Sequence, residues 1–294
     1  MKIWKKRQVG DTMFLVILLL SILLVYFQVN RVVRYNIDEE LNQVTSITLG
    51  SLRNSVDLSI KNYLRSVVET NKSLVSLYYE QYQQGLISEK EAKRRAEELL
   101  LSQKIGDTGY FYVLSSEGVV LIHPKSIVGE KLDEHLFIRK QMQLKKGYLE
   151  YMWANPDDTI ERPKALYMDY FEPWDWILSA SSYREEFVRL IDPEDFRAEI
   201  VKTTIGKTGY VVLLDAAGRA LIHPSLDSGV DLNEIKDVRG LPIFHIVMEQ
   251  KKGSVHYWWI NPGETKAREK LAHFGYYPEL DWFVMSTAYV SELE

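Results

Sequence analysis

The chain has 294 residues, 36 Lys+Arg against 41 Asp+Glu, 46% apolar residues and no cysteine. Length and apolar content allow one or two domains with ample core, and a formal charge of −5 gives no basic footprint for nucleic acid. The lack of cysteine excludes disulfides, thiolate zinc sites, iron–sulfur clusters and a cysteine nucleophile, so an oxidising compartment costs the fold nothing.

Residues 12–29 (TMFLVILLLSILLVYFQV) carry no charge. At 1.5 Å per residue these eighteen residues span roughly 27 Å, close to the hydrocarbon thickness of a bilayer. Lys2, Lys5, Lys6 and Arg7 precede the run, and only Arg31 and Arg34 follow closely. That bias places the N-terminus in the cytoplasm and the remainder outside. A cleaved signal peptide would have a shorter apolar region and a small-x-small site. The flank Tyr26-Phe27-Gln28-Val29-Asn30-Arg31 has no small residues, so an uncleaved anchor is expected. No second span follows.

Between residues 30 and 84 there is no proline, and the only glycine is Gly50. Val33, Ile37, Leu41, Val44, Leu52, Val56, Ile60, Leu64, Val67, Leu74 and Tyr78 recur near the helical period, which predicts one long helix with a break at Gly50. Fifty residues of helix would reach about 75 Å. Part of its apolar stripe is expected to pack on the outer domain, and part on a second copy of the chain. Gly85 ends that helix. Ser88-Glu89-Lys90-Glu91 reads as a capping box opening a second helix over 89–104. Asp192-Pro193-Glu194-Asp195 predicts a further helix start, with Asp192 as its cap.

An internal repeat organises the rest. Residues 105–124 (IGDTGYFYVLSSEGVVLIHP) and 205–224 (IGKTGYVVLLDAAGRALIHP) match at eleven of twenty positions. At an offset of 106, Lys145-Lys146-Gly147, Tyr151, Trp153, Asn155, Pro156, Lys164, Trp176 and Tyr183 recur as Lys251-Lys252-Gly253, Tyr257, Trp259, Asn261, Pro262, Lys270, Trp282 and Tyr289. Two copies of this length read as homologous modules rather than a solenoid. In the first, strands are predicted over 110–114, 119–123, 147–153, 164–171 and 176–182, with a helical or loop connection through Phe137 to Leu144. The short gaps exclude parallel βαβ units. The fold class is therefore α+β: a transmembrane helix, a long stalk helix and two tandem modules, each a five-stranded antiparallel sheet with helices segregated to one side.

The pattern Gly-Tyr-strand-Gly-strand-His-Pro, then Gly-x-x-x-Tyr-x-Trp, Pro-x-Lys and Trp-x-Trp resembles the Cache family of extracytoplasmic sensor domains with PAS-like sheets. The duplication resembles the double-Cache form built of type-2 modules. The resemblance implies the sensing part of a bacterial chemoreceptor, sensor histidine kinase or diguanylate cyclase, set outside the plasma membrane and binding a small organic acid such as acetate, propionate, pyruvate or lactate. The layout then reads as cytoplasmic tip and anchor (1–29), helices (30–104), membrane-distal module (105–190) and membrane-proximal module (191–294). Family members usually carry a second membrane helix and an output domain; this chain shows neither, so a truncated chain or signalling through a partner is expected.

A carboxylate leaving water needs a cation and hydrogen-bond donors inside a walled cavity. Strand alternation puts Tyr151 and Trp153 on one face; His123 ends the hairpin, Lys164 begins the next strand, and Arg139 could close the site as a lid cation. Tyr167, three residues past Lys164, falls on the opposite face by strict alternation and is the weakest member. His223, Tyr257, Trp259, Lys270 and His273 are the second-module counterparts, readable as remnants of the duplication; the family resemblance favours the first module as binder. Trp174 and Trp176 read as core. An amine or amino-acid ligand would want a carboxylate, for which Asp169 is nearest. The alternatives are a module for dimerisation or protein contacts, or an enzyme. The second has no acid–base or nucleophile constellation to support it. Gly206-Lys207-Thr208 lacks the earlier glycine of a phosphate loop and runs from helix to strand. Asp157-Asp158 reads as a turn, and no histidine spacing suits a metal. No cofactor is called for. Expected partners are a carboxylate, the membrane through residues 12–29, and a second copy of the chain through the long helix.

Overall fold

The computed structural model describes residues 2–293 except Ser126, Pro156, Asp157 and Pro262, and leaves the side chains of residues 2–16 and Asn30 undescribed. The repeat positions Pro156 and Pro262 and the Asp157 turn therefore lie outside the described residues. Helix α1 runs unbroken over Lys2–Gln83. Gly50 does not interrupt it, because a single glycine removes no hydrogen bond from the ladder. Gly85, at φ +72°, terminates the helix: its N–H donates to the Tyr82 carbonyl and that of Leu86 to the Gln81 carbonyl, a Schellman closure. The side chains from Ile17 to Phe27 are all exposed apolar groups or Ser21, and α1 is the one described helix long and apolar enough to cross a membrane.

Helix α2 (Glu89–Ser102) follows, with the Ser88 Oγ accepting the Glu91 N–H at 3.2 Å. Glu91 does not complete the box; its carboxylate is held by Arg94 and Arg95, whose hydrogen bonds pull its pKa down to about 2. The first module comprises β1 (Tyr110–Leu114), β2 (Val120–Ile122), α3 (Leu136–Leu144), β3 (Gly147–Trp153), β4 (Arg162–Phe171) and β5 (Trp176–Tyr183). Its antiparallel sheet has the order β2-β1-β5-β4-β3. The second module begins with a 3-10 turn, Pro193–Phe196, feeding α4 (Arg197–Lys202). The acidic Pro193 segment thus forms a tightened turn, and the cap position falls to Phe196 instead of Asp192. Then come β6 (Thr204–Ile205), β7 (Gly209–Asp215), β8 (Ala220–Ile222), α5 (Ile243–Gln250), β9 (Gly253–Trp259), β10 (Arg268–Tyr277), β11 (Trp282–Tyr289) and α6 (Val290–Leu293). Its order is β6-β7-β11-β10-β9, with β8 on β7. The sixth strand, β6, corresponds to a single Ile105–Gly109 bridge in the first module.

The chain divides into two compact units, 53–192 and 1–52 with 193–294. In each, the sheet is covered on both faces rather than one, which is why every residue of β5 and of β11 is buried. One face takes α3 or α5. The other takes α1, whose buried positions Ile37, Leu41, Thr45, Thr48 and Leu52 belong to the second module's unit and Val56, Ile60, Leu64, Val68, Asn71 and Val75 to the first's. The stripe passes through Val68 and Val75 rather than Val67 and Leu74. Against the second sheet, Thr45 Oγ1 meets Ser286 Oγ at 2.7 Å, and a Cβ on Gly275 would come within 2.7 Å of Leu49. Against the first, Tyr79 packs edge-on to Phe171 and Trp174, and Lys72 reaches Asp169 at 2.8 Å. Trp174 and Trp176 are core.

Candidate functional site: a buried lysine row and an open chamber

Antiparallel register builds the same row twice. Tyr151, Lys164 and Tyr183 lie directly opposite one another across β3, β4 and β5; Tyr257, Lys270 and Tyr289 do so across β9, β10 and β11. Residues opposed in this way share a face and interact side by side. Both lysines are fully buried. The Lys164 Nζ donates to Asn155 Oδ1 at 3.0 Å and sits 4.7 and 4.9 Å from the ring centres of Tyr110 and Tyr183. The Lys270 Nζ donates to Asn261 Oδ1 at 3.1 Å and sits 4.6 and 4.8 Å from Tyr210 and Tyr289. Aromatic faces and one amide replace the water a lysine normally keeps. Burial pulls each ammonium down to about 8, against the pull of Glu186 and Asp158 in one module and Glu292 and Glu264 in the other.

The recurrent Ile-Gly-x-Thr-Gly-Tyr turn has a structural employer. The Glu292 carboxylate accepts the Lys207 N–H at 3.1 Å, the Thr208 N–H at 2.7 Å and the Thr208 hydroxyl, and Glu186 does the same for Asp107 and Thr108. The backbone donors that resemble a phosphate loop are thus filled by the chain's own carboxylates. Gly109 and Gly209 follow from close packing: a Cβ on either would lie within 2.5 Å of the Ile105 or Ile205 carbonyl oxygen.

The two interiors differ in volume. The second module holds a half-open chamber of about 570 Å³ between its sheet, α5 and the segment after β8; Tyr210, His223, Tyr257, Trp259 and Asn261 all line it. Lys270 stands behind Tyr210 and Asn261. The first module keeps only about 30 Å³, bounded by Tyr110, Tyr112, His123, Phe137, Tyr151 and Trp153. There Tyr151 stacks on Phe137 at 4.1 Å. Tyr151 and Trp153 also line an open groove of about 380 Å³ beside α3.

The two matched histidines each accept a backbone N–H through Nδ1, His123 from Lys125 and His223 from Ser225, both at 3.0 Å. A ring nitrogen that accepts is unprotonated, so Nε2 carries the remaining hydrogen of the neutral ring. Burial, with Lys270 nearby, pulls His223 down to about 4; burial lowers His123 too. The His223 ring packs edge-on to Tyr210 with centres 5.2 Å apart. His223, Tyr210, Asn261 and Lys270 thus form one donor-rich cluster.

Four expected positions lie elsewhere. Arg139 is exposed on α3 and spends its guanidinium on the Asp133 and Glu134 carbonyls, at 2.9 and 2.8 Å, so it lines neither cavity. Tyr167 points to the opposite sheet face from Lys164, as strand parity requires, and is buried there. Asp169 shares that α1-facing side, where Lys72 and Lys146 each hold it at 2.8 Å, so it is not free for an amine. His273, the counterpart of Tyr167, faces α1 likewise, near Asp38 and Glu39. Tyr110 and Tyr210 as cage walls, and Glu186 and Glu292 as turn anchors, belong to no recognised motif; their sequence signal is recurrence, at an offset of 100 for the tyrosines and 106 for the glutamates.

A sequence profile for the Cache domain, in its double form, matches residues 28–294. The chain belongs to the Cache family. Similar solved structures include the periplasmic sensor domain of a chemotaxis protein, 26% identical over 42% of this chain and 94% of that one with a TM-score of 0.38. A Cache chemosensory domain solved to address carboxylic acid recognition is 19% identical over 42% and 91%, TM-score 0.38. A methyl-accepting chemotaxis protein from Vibrio parahaemolyticus is 22% identical over 46% and 96%, TM-score 0.40. The Cache architecture accounts for the paired sheets and the long N-terminal helix, and no group of metal-ligating side chains occurs among its described residues.

Proposed function

We propose that this Cache chain is the sensing part of a membrane-anchored receptor of a bacterial plasma membrane, with its modules in the periplasm or outside the cell. It recognises a small organic acid and performs no chemistry on it. One observation carries the reading: a dehydrated lysine stands beside a donor-rich cavity wall in which, among the described lining residues, none is acidic. A carboxylate entering there gains N–H and O–H donors and relieves the ammonium; an amine finds no counter-ion. His123, Tyr151, Trp153 and Lys164 form the matching frame of the first module, and His223, Tyr257, Trp259 and Lys270 that of the second. Signal transfer requires that the acid bind two packings of β5 or β11 against α1 unequally. The exposed Val32, Tyr35, Ile47 and Leu58 on α1 support pairing with a second copy of the chain.

Calorimetric titration of the full chain in lipid nanodiscs tests this, using acetate, propionate, pyruvate and lactate beside ethylamine as control. Heat from acids and none from the amine is expected. Binding of the amine with silence from every acid would sink the carboxylate reading.

A further inference from the structure

We infer that the acid-binding chamber is that of the second module, that the first module is plugged by its own side chains, and that the ligand is a carboxylic acid with a sizeable apolar body. This rests on the carboxylate reading above and assigns it a place and a size.

The difference between the modules comes down to three matched positions around the same cavity. Tyr112, Phe137 and Gln141 in the first correspond to Val212, Ile243 and Val247 in the second. In the first, the Tyr112 hydroxyl donates to Gln141 Oε1 at 3.0 Å, Ser179 donates to the same oxygen at 2.8 Å, and Phe137 lies flat on Tyr151. These five side chains fill the space and leave about 30 Å³, although the Gln141 amide nitrogen finds no partner there among the described residues. In the second, valine and isoleucine withdraw a phenol and a phenyl ring from the equivalent space. The connection there is also longer: the segment between β8 and α5 carries six extra residues and is pinned to the edge of β9. Asp237 accepts the Trp258 N–H at 3.0 Å, and Val238 donates to the Trp258 carbonyl at 3.2 Å. Leu232 and Ile235 from that segment complete the wall.

The resulting volume, about 570 Å³, is far more than a two- or three-carbon acid fills. On the yardstick of about 30 Å³ per water that is the space of roughly nineteen waters, so a molecule of on the order of ten non-hydrogen atoms fits with room to spare. Its wall divides by chemistry. Tyr210, His223 and Asn261, with Lys270 behind them, suit one carboxylate. Leu226, Leu232, Ile243, Phe244 and Met285 suit an aromatic or branched hydrocarbon body. Burying that body adds affinity beyond what acetate gains from its carboxylate alone.

The test uses the full 294-residue chain in nanodiscs with methyl-13C methionine, and 4-fluorophenylacetate as probe beside acetate and 2-(4-fluorophenyl)ethylamine. Met285 reports on the second chamber; Met142 and Met168 report on the first interior. The expected result is that 4-fluorophenylacetate shifts the Met285 methyl alone and binds at least roughly tenfold tighter than acetate, while Val212→Tyr or the milder Ile243→Phe weakens it roughly tenfold or more by filling the chamber. The methyl shift needs no substitution, so a variant that fails to fold does not decide the matter. Binding of the fluorinated acid that moves Met142 or Met168 but not Met285, or acetate binding more tightly than it, overturns this inference and leaves the carboxylate reading standing. Binding of the amine alone, or of none of the three, overturns both.

Discussion

Replacing Lys270 with methionine separates the cost of the ammonium from the space it fills. The folded-state pKa is about 8, pulled down by burial, against about 10.4 for an unfolded lysine. Between these values the unfolded chain binds more protons, so stability rises with pH. With about 1.36 kcal/mol per unit, the charged form costs the second unit roughly 3 kcal/mol at pH 7. About 2.5 kcal/mol of that is recovered by pH 10, where the folded side chain is neutral and the unfolded one is still mostly charged. Lys270→Met has no such term. Its unpaired Asn261 oxygen adds an offset, but one that does not vary over this pH range. The free-energy difference between wild type and Lys270→Met should therefore shift by about 2.5 kcal/mol in favour of wild type from pH 7 to pH 10. Urea unfolding followed at the Met285 methyl, which belongs to the second unit, reads it directly. A difference that stays constant to within about 0.5 kcal/mol would mean a hydrated ammonium, and the desolvation reasoning would fail.

Other consequences are equally measurable. A carboxylate that restores an ordinary lysine pKa should take up about half a proton per molecule bound at pH 8, seen as buffer-dependent calorimetric heats; heats independent of the buffer's ionisation enthalpy would contradict it. Tyr112→Val should open the first module, lowering that unit's stability by about 2–4 kcal/mol and making it stabilisable by toluene in a thermal-shift assay. An unchanged melting curve with and without toluene would show that Tyr112 does not plug the cavity. Asp169→Asn removes the partner of Lys72 and Lys146 and should cost the first unit about 1–3 kcal/mol in urea unfolding; no change would place the pair among surface contacts.

Much of this architecture is legible in the residues because its causes are local. A continuous stretch without proline, closed by Gly85, reads as a helix wherever it packs. The recurrence of Tyr-x-Trp and of the lysine at one offset announces two sheets with one register, and period-two alternation already places Tyr167 away from Lys164. What escapes is set by contacts across the fold. The pairing of Arg139 with two carbonyls depends on the turn before α3, and the seizure of Asp169 depends on which turn of α1 crosses β4. The second helical cover on each sheet is likewise invisible in the strand pattern until the fully buried β5 and β11 show it.

By itself the sequence determined that an apolar helix leads into two copies of one antiparallel module, each carrying a lysine in a repeated aromatic frame. Those features follow from periodicity, from turn residues and from repetition, and none requires knowing what lies opposite. Only the tertiary structure decided which copy is hollow. The volume of a cavity depends on side chains that meet from a strand and a helix far apart in the chain, where one ring more or less, Tyr112 against Val212 and Phe137 against Ile243, separates a plugged interior from an open chamber.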